Sequence, residues 1–222
     1  MSDARDRAAW HQALGDVHRL AIVDLLELSD ATPGELGEHT GLASNLLAFH
    51  LDVLEAAGLV VRHRSQGDGR RRYVTLGPTA TRSVFDPDGD RTAVPADRVV
   101  FVCTHNSARS QLASAMWTAR TGRTAWSAGS QPAEHVNPDA VAIAAAHGLD
   151  LSVARPHAYG QVEVDPDLVV SVCDRVREDG LPFDAPLLHW SVPEPETAAD
   201  FPATWSDLDR RLDRLADRAA VA

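Results

Sequence analysis

Cys103-Thr104-His105-Asn106-Ser107-Ala108-Arg109-Ser110 puts a thiol, a turn of small and polar residues, and a guanidinium within eight positions. A free cysteine titrates at about 8.5, so at neutral pH it needs help to be a nucleophile. Backbone N–H groups converging from a tight loop, together with a helix N-terminus, favour the thiolate. The same donors, carried by Thr104, His105, Asn106, Ser107 and Ala108, suit the oxygens of a tetrahedral anion. Arg109 adds a two-pronged clamp for two of those oxygens. Ser110 is placed to donate to the sulfur, and Asn106 to hold the loop in its turn. Nucleophile and clamp around one ligand is the arrangement of covalent catalysis on an oxyanion.

Such a loop needs a strand before it and a helix after it. Val99–Val102 is an apolar run that reads as a buried strand, and 107–121 as a helix with Leu112, Ala115, Met116 and Ala119 inward. Strands follow at Thr124–Ser127, Leu168–Val172 and Leu187–Trp190. A helix opens at Asn137-Pro138-Asp139 and closes at Gly148, and a terminal helix spans Trp205–Ala219. Strands alternating with helices predict a four-stranded parallel sheet whose ligands bind at the strand C-terminal ends, where Cys103 lies.

The first eighty residues follow a different pattern. Residues 5–28 have helical spacing with a break at Gly15-Asp16, and Leu20, Val23 and Leu26 form an apolar stripe. Thr32-Pro33 with Glu35 signals the start of a short third helix that ends near Gly41. A fourth runs from Ser44 to Ala57, with Leu47, Leu51 and Leu54 inward, and stops at Gly58. Two β-prone runs, Leu59–His63 and Arg72–Leu76, are joined through Gly67-Asp68-Gly69. The whole predicts a multidomain chain. Its N-terminal domain, 1–80, is a winged helix-turn-helix, mainly α with a β wing. A Gly/Pro/Asp-rich linker covers 81–97, and an α/β domain covers 98–222.

Charge is consistent with that division. The chain is acidic, at −11 over 222 residues, but residues 1–82 carry only −2 of it. Arg62, Arg64, Arg70, Arg71 and Arg72 face only Asp68 in the wing, a local basic footprint suited to phosphate. A helix fits the major groove while arginines on a hairpin reach flanking phosphates. The DNA-reading residues expected are Ser44, Asn45, Leu46, Phe49 and His50, with Arg70, Arg71 and Arg72 on the backbone. Two cysteines, 103 and 173, make no disulfide framework, and nothing has the length of a membrane span. Those features predict a cytoplasmic protein. His11, Asp16, His18 and His39 are read as surface residues, and no metal site is assigned.

Ser44-Asn45-Leu46-Leu47-Ala48-Phe49-His50-Leu51 and Leu54-Glu55-Ala56-Ala57-Gly58-Leu59-Val60 resemble the ArsR-type repressors over residues 8–77. That resemblance implies a homodimer on double-stranded operator DNA. Members that sense arsenite do so with cysteine thiolates, and residues 1–98 contain none, so that route is absent.

The Cys103 loop, Ser127-Ala128-Gly129-Ser130, Val136-Asn137-Pro138-Asp139-Ala140 and His147-Gly148-Leu149-Asp150-Leu151-Ser152 resemble the low-molecular-weight protein tyrosine phosphatases. The arsenate reductases of the same fold share the likeness, over about 98–218. His105, with Ala108 in place of a second loop cysteine, is similar to the mycothiol-linked reductases. The resemblance implies Cys103 as nucleophile, Arg109 as clamp, Ser110 beside the sulfur and Cys173 as resolving thiol. Glu194-Pro195 stands where the family carries Asp-Pro, so Glu194 is the candidate acid, one methylene longer. No bound cofactor is implied. The partners implied are arsenate or a phosphate-like oxyanion and an external thiol reductant of mycothiol or glutaredoxin type. Three functions stay open: a regulator fused to an arsenate reductase, an oxyanion- or redox-sensing repressor without turnover, and a phosphatase.

Overall fold

In the computed structural model, which describes residues 4–78 and 93–219, two of the four early helices begin where the sequence supplies a side-chain cap. α1 is Ala4–Leu14. α2, Val17–Leu26, starts at Asp16, whose carboxylate accepts the N–H groups of His18 at 2.9 Å and Arg19 at 3.2 Å. α3, Pro33–Thr40, opens with a reciprocal pair: Glu35 N–H donates to Thr32 Oγ1 at 3.3 Å and Thr32 N–H to Glu35 Oε2 at 2.7 Å. It stops at Gly41, where φ is 69°. α4, Ser44–Ala56, has no side-chain cap at Ala43 and is held instead by burial of Leu47, Leu51 and Leu54. These three pack with Ile22, Val23, Leu26, Leu36, Leu59 and Val74 in one core. Each such side chain contributes on the order of 1.5–3 kcal/mol relative to exposure. Leu20 is exposed, not part of the stripe, because the buried face of α2 is centred on Ile22, Val23 and Leu26. β1, Val60–Arg64, and β2, Arg72–Leu76, pair antiparallel, with Val60 opposite Leu76 and Arg64 opposite Arg72.

The described residues divide into two units, one holding 4–65 and 69–78, the other 66–68 and 93–219. Of the predicted linker, 81–97, residues 81–92 lie outside the described residues. In the remainder, Val94 N–H donates to the Arg218 carbonyl at 2.8 Å.

The second unit is built on four parallel strands, in the order β4 (Ala125–Gly129), β3 (Val99–Cys103), β5 (Leu168–Ser171) and β6 (Leu187–His189). β3 is central and every residue in it is buried, which is why it reads as an unbroken apolar run. The register sets Cys103 opposite Gly129 at the C-terminal end of the sheet. α5, Arg109–Thr121, buries Leu112, Ala113, Met116 and Trp117. Ala119 faces solvent, because the large Trp117 ring takes the inward place, 6.4 Å from Phe101. α6 is Pro138–Ala146, α7 Asp174–Asp179 and α8 Phe201–Arg218; the short α7 had no signature in the sequence. Among the described residues no helix is long and apolar enough to cross a membrane.

Candidate functional site

The loop between β3 and α5 is shaped by its carbonyls. Thr104, His105 and Ser107 point their C=O groups outward, to the N–H groups of Gln131, Ala133 and Asn137 at 2.9, 2.9 and 2.8 Å. The Asn106 carbonyl accepts Gln111 Nε2 at 3.2 Å. A trans peptide directs its N–H opposite to its C=O. The N–H groups of His105, Asn106, Ser107 and Ala108 therefore turn to the concave side. There the Asn106 N–H donates to Cys103 Sγ at 3.2 Å. Because Ala108 N-caps α5 without a side-chain bond, the first amides of that helix add to the same positive ring.

Asn106 pays the conformational cost of this turn, with φ at 47°, the only non-glycine positive φ among the described residues. Its side chain is buried and faces away from the ligand side of the loop. The His157 N–H, which can only donate, reaches Asn106 Oδ1 at 2.7 Å, and Gln111 Nε2 reaches it at 3.1 Å. That fixes the amide, so Nδ2 donates to Ser110 Oγ at 2.8 Å. With that oxygen accepting from Asn106, the Ser110 hydroxyl proton is directed at Cys103 Sγ, 3.0 Å away. Asn106 thus contributes a backbone donor and a support for Ser110, and its side chain makes no part of the anion's lining.

Gly129 is what lets the loop close on β4. A Cβ there would lie 2.6 Å from the Thr104 oxygen and 2.9 Å from the Asn106 nitrogen. Gly129 and Gln111 carry no reactive chemistry, and His157 serves the loop through its backbone N–H and C=O, which is why sequence reasoning assigned them no part in the site.

Thr104, His105, Arg109, Cys173, Asp174 and Glu194 line one concavity. Both cysteines are free thiols, and both are buried. Thr104 Oγ1 sits 3.4 Å from Cys173 Sγ. Burial pushes the Cys173 thiol above its ordinary range, partly offset by the Arg109 charge, so it is protonated at neutral pH. Arg109 is only 3% exposed. Its Nη1 donates to the Val192 carbonyl at 2.8 Å and its Nη2 to the Glu194 carboxylate. Sequence reasoning placed a free clamp and a separate acid here; the two are paired.

Asp174 was missed by sequence reasoning. Its carboxylate accepts Ser191 Oγ at 2.5 Å and lies 3.2 Å from His189 Nε2; His189 Nδ1 in turn is 2.9 Å from Ser171 Oγ. Burial alone would raise Asp174, but the bonds from His189 and Ser191 outweigh it and hold the carboxyl below its usual range. Its only signal was adjacency to Cys173.

In the first unit, Ser44, Asn45, Leu46 and Phe49 share an exposed face of α4, and Phe49 is 56% exposed. Arg64, Arg70, Arg71 and Arg72 are exposed on the hairpin. Two expectations need correcting. His50 is 5% exposed, because position 50 shares the inward face with Leu47, Leu51 and Leu54. Its ring lies 5.6 Å from that of His18, with Nδ1 3.7 Å from the Asp16 carboxylate. It cannot read a base. Arg62 is not part of a free basic footprint either. It is paired with Asp52 at 2.7 Å and with Glu55, both on α4.

A protein-family model described as "Low molecular weight phosphotyrosine protein phosphatase" matches residues 98–220, and one described as "Bacterial regulatory protein, arsR family" matches residues 16–61. The transcriptional repressor SdpR of Bacillus subtilis (strain 168) is 32% identical over 68 residues, which cover 31% of this chain and 72% of SdpR. Among solved structures, an arsenate reductase from Archaeoglobus fulgidus DSM 4304 is similar at 31% identity and a TM-score of 0.48, covering 53% of this chain and 98% of that one. A low molecular weight protein tyrosine phosphatase from T. tengcongensis is similar at 25% identity and a TM-score of 0.47, covering 53% and 96%.

Proposed function

Since the chain belongs to the low molecular weight phosphotyrosine protein phosphatase family and carries an arsR-family DNA-binding segment before it, we propose that it is a DNA-binding regulator whose second unit reduces arsenate with thiols. The observation that carries the reductase reading is the second thiol: Cys173 lines the same concavity as Arg109 and touches Thr104 of the Cys103 loop. A simple ester hydrolase has no use for it.

In this reading the oxyanion sits on the loop N–H groups and Arg109, and the Cys103 thiolate attacks arsenic. A sulfur–arsenic bond forms, and one arsenate oxygen leaves as water after taking up protons, one of them from the Glu194 carboxyl. Cys173 then attacks Cys103 Sγ. The electron pair of the sulfur–arsenic bond goes to arsenic, which departs as arsenite, while the two sulfurs are oxidised to a disulfide. An external low-molecular-weight thiol or glutaredoxin-type protein supplies two electrons to reset the pair. Ser110 Oγ, 3.0 Å from Cys103 Sγ, stabilises the thiolate charge before the attack on arsenic.

The DNA unit reads a major groove with Ser44, Asn45, Leu46 and Phe49, and anchors on phosphates through Arg70, Arg71 and Arg72, as a dimer on an inverted repeat. Purified protein with a thiol reductant should convert arsenate to arsenite; Cys103→Ser should abolish this and Cys173→Ser should reduce it sharply. Failure of the intact protein with several thiol systems rejects the reductase. A second reading is favoured by the cradle itself, which accepts a phosphoryl group equally well. Hydrolysis of an aryl phosphate lost in Cys103→Ser but kept in Cys173→Ser would establish a phosphatase instead.

A further inference from the structure

We propose that Glu194 determines which anions the cradle accepts: its carboxylate competes with the substrate oxyanion for the Arg109 fork, so that a tetrahedral dianion is admitted and a monoanion is turned away. This rests on the oxyanion reading above and concerns the same site.

Both terminal nitrogens of Arg109 are held by one segment, Nη1 by the Val192 carbonyl and Nη2 by the Glu194 carboxylate. A bidentate anion on that edge of the guanidinium must displace the carboxylate. The two partners differ in burial: the Arg109 side chain is 4% exposed and that of Glu194 is 42% exposed. The guanidinium thus has lost its water and needs an anionic partner, while the carboxylate can return to solvent at little cost. Exchange is therefore feasible, but the incoming group must bind better than a tethered monoanion. A dianion gains twice the charge attraction to Arg109 and keeps further oxygens for the loop N–H groups. A monoanion only matches the carboxylate it replaces. Once displaced from Arg109, the Glu194 carboxylate is free to take a proton from solvent and pass it to the departing oxygen. Chain length is what makes the contact: an aspartate at 194 is shorter by one carbon–carbon bond.

The test uses the full chain in a Cys103→Ser background, where no covalent step intervenes. Affinities for inorganic phosphate and arsenate are measured by calorimetry at fixed pH and ionic strength. Glu194→Gln and Glu194→Asp should each bind on the order of tenfold more tightly, and chloride or nitrate should compete better than with the unaltered Glu194. Asp213→Asn removes an equal charge from an exposed position on α8, beside Arg120 at the other end of α5, and should change affinity less than about twofold, since it leaves Arg109 paired. Equal or weaker binding in both Glu194 variants, or equal tightening in Asp213→Asn, overturns the proposal while the cradle stands. Absence of phosphate and arsenate binding in every variant overturns the cradle reading as well.

Discussion

Replacement of Gly129 by alanine tests the loop geometry with a single methyl group. The added Cβ would meet three atoms of the loop: the Thr104 oxygen at 2.6 Å, the Asn106 nitrogen at 2.9 Å and Asn106 Cβ at 3.1 Å. Ordinary contacts of this kind begin at about 3.3–3.5 Å, so the loop and strand must part by roughly 0.7–0.9 Å. β4 has little freedom to yield. It is paired with β3 up to Gly129 opposite Cys103, and the Gly129 N–H is bonded to the His157 carbonyl at 2.8 Å. The displacement therefore falls on the peptides that aim N–H groups at Sγ. A shift near 1 Å in a reacting geometry costs about a hundredfold in rate, and overpacking costs about 1–3 kcal/mol of stability. The assay is kcat/KM for arsenate, or for an aryl phosphate, beside thermal unfolding. Gly122→Ala is the control: φ is 72° there and nothing lies within 4 Å of the new methyl, so it strains a helix end by about 1 kcal/mol without touching the loop. Gly129→Ala activity within about threefold of the unaltered protein would refute the reasoning, as would equal losses in Gly122→Ala.

Three further outcomes are expected. Ser110→Ala removes the hydroxyl aimed at Cys103 and leaves Asn106 Nδ2 without its acceptor, so alkylation of Cys103 by iodoacetamide at neutral pH should slow about tenfold; an unchanged rate contradicts the hydrogen-bond order derived for that chain. Asp174 titrates below its ordinary range, so its stabilising contribution is present above the usual carboxylate range and lost as pH falls through the lowered value. Asp174→Asn should therefore be less stable than the unaltered protein by about 2–3 kcal/mol at pH 7 in denaturant titrations, a gap that narrows in acid; a gap constant with pH removes the ionised-carboxylate interpretation. Arg71→Ala and Arg72→Ala should each lower the salt dependence of DNA binding by about one counterion, and Arg62→Ala should leave that slope unchanged because its charge is spent on Asp52 and Glu55; a slope that falls in Arg62→Ala reverses the assignment.

How much of this was readable in the sequence differs by residue. The β3 run, the thiol at its end and the arginine six positions later are local features, and the structure places them together because a strand and a helix joined by a short loop leave no alternative. The Thr32–Glu35 pair is equally local, and it opens α3 where its spacing indicates. His50 was misread although its spacing was informative: residues 47, 50, 51 and 54 fall on one helix face, and that face is the core. Arg62 was misread because its partners on α4 are brought to it by the fold, beyond the reach of a charge count along the wing. The outer brace at Gln131, Ala133 and Asn137 acts through backbone N–H groups, which carry no residue signature. The pairing of Glu194 with Arg109 joins segments 85 positions apart, so only the folded structure reveals it.

The most direct test of the chemistry is a single turnover. The pre-reduced protein is mixed with one equivalent of arsenate without external thiol, at a pH near 8 where more of the Cys173 thiol is ionised than at neutrality. Arsenite is counted, and disulfides are mapped by mass spectrometry. The predicted result is one arsenite and one Cys103–Cys173 disulfide per chain, with neither formed in Cys103→Ser and neither in Cys173→Ser. Arsenite produced in full by Cys173→Ser, or no arsenite from the unaltered protein that nonetheless binds arsenate, would contradict a two-thiol reductase.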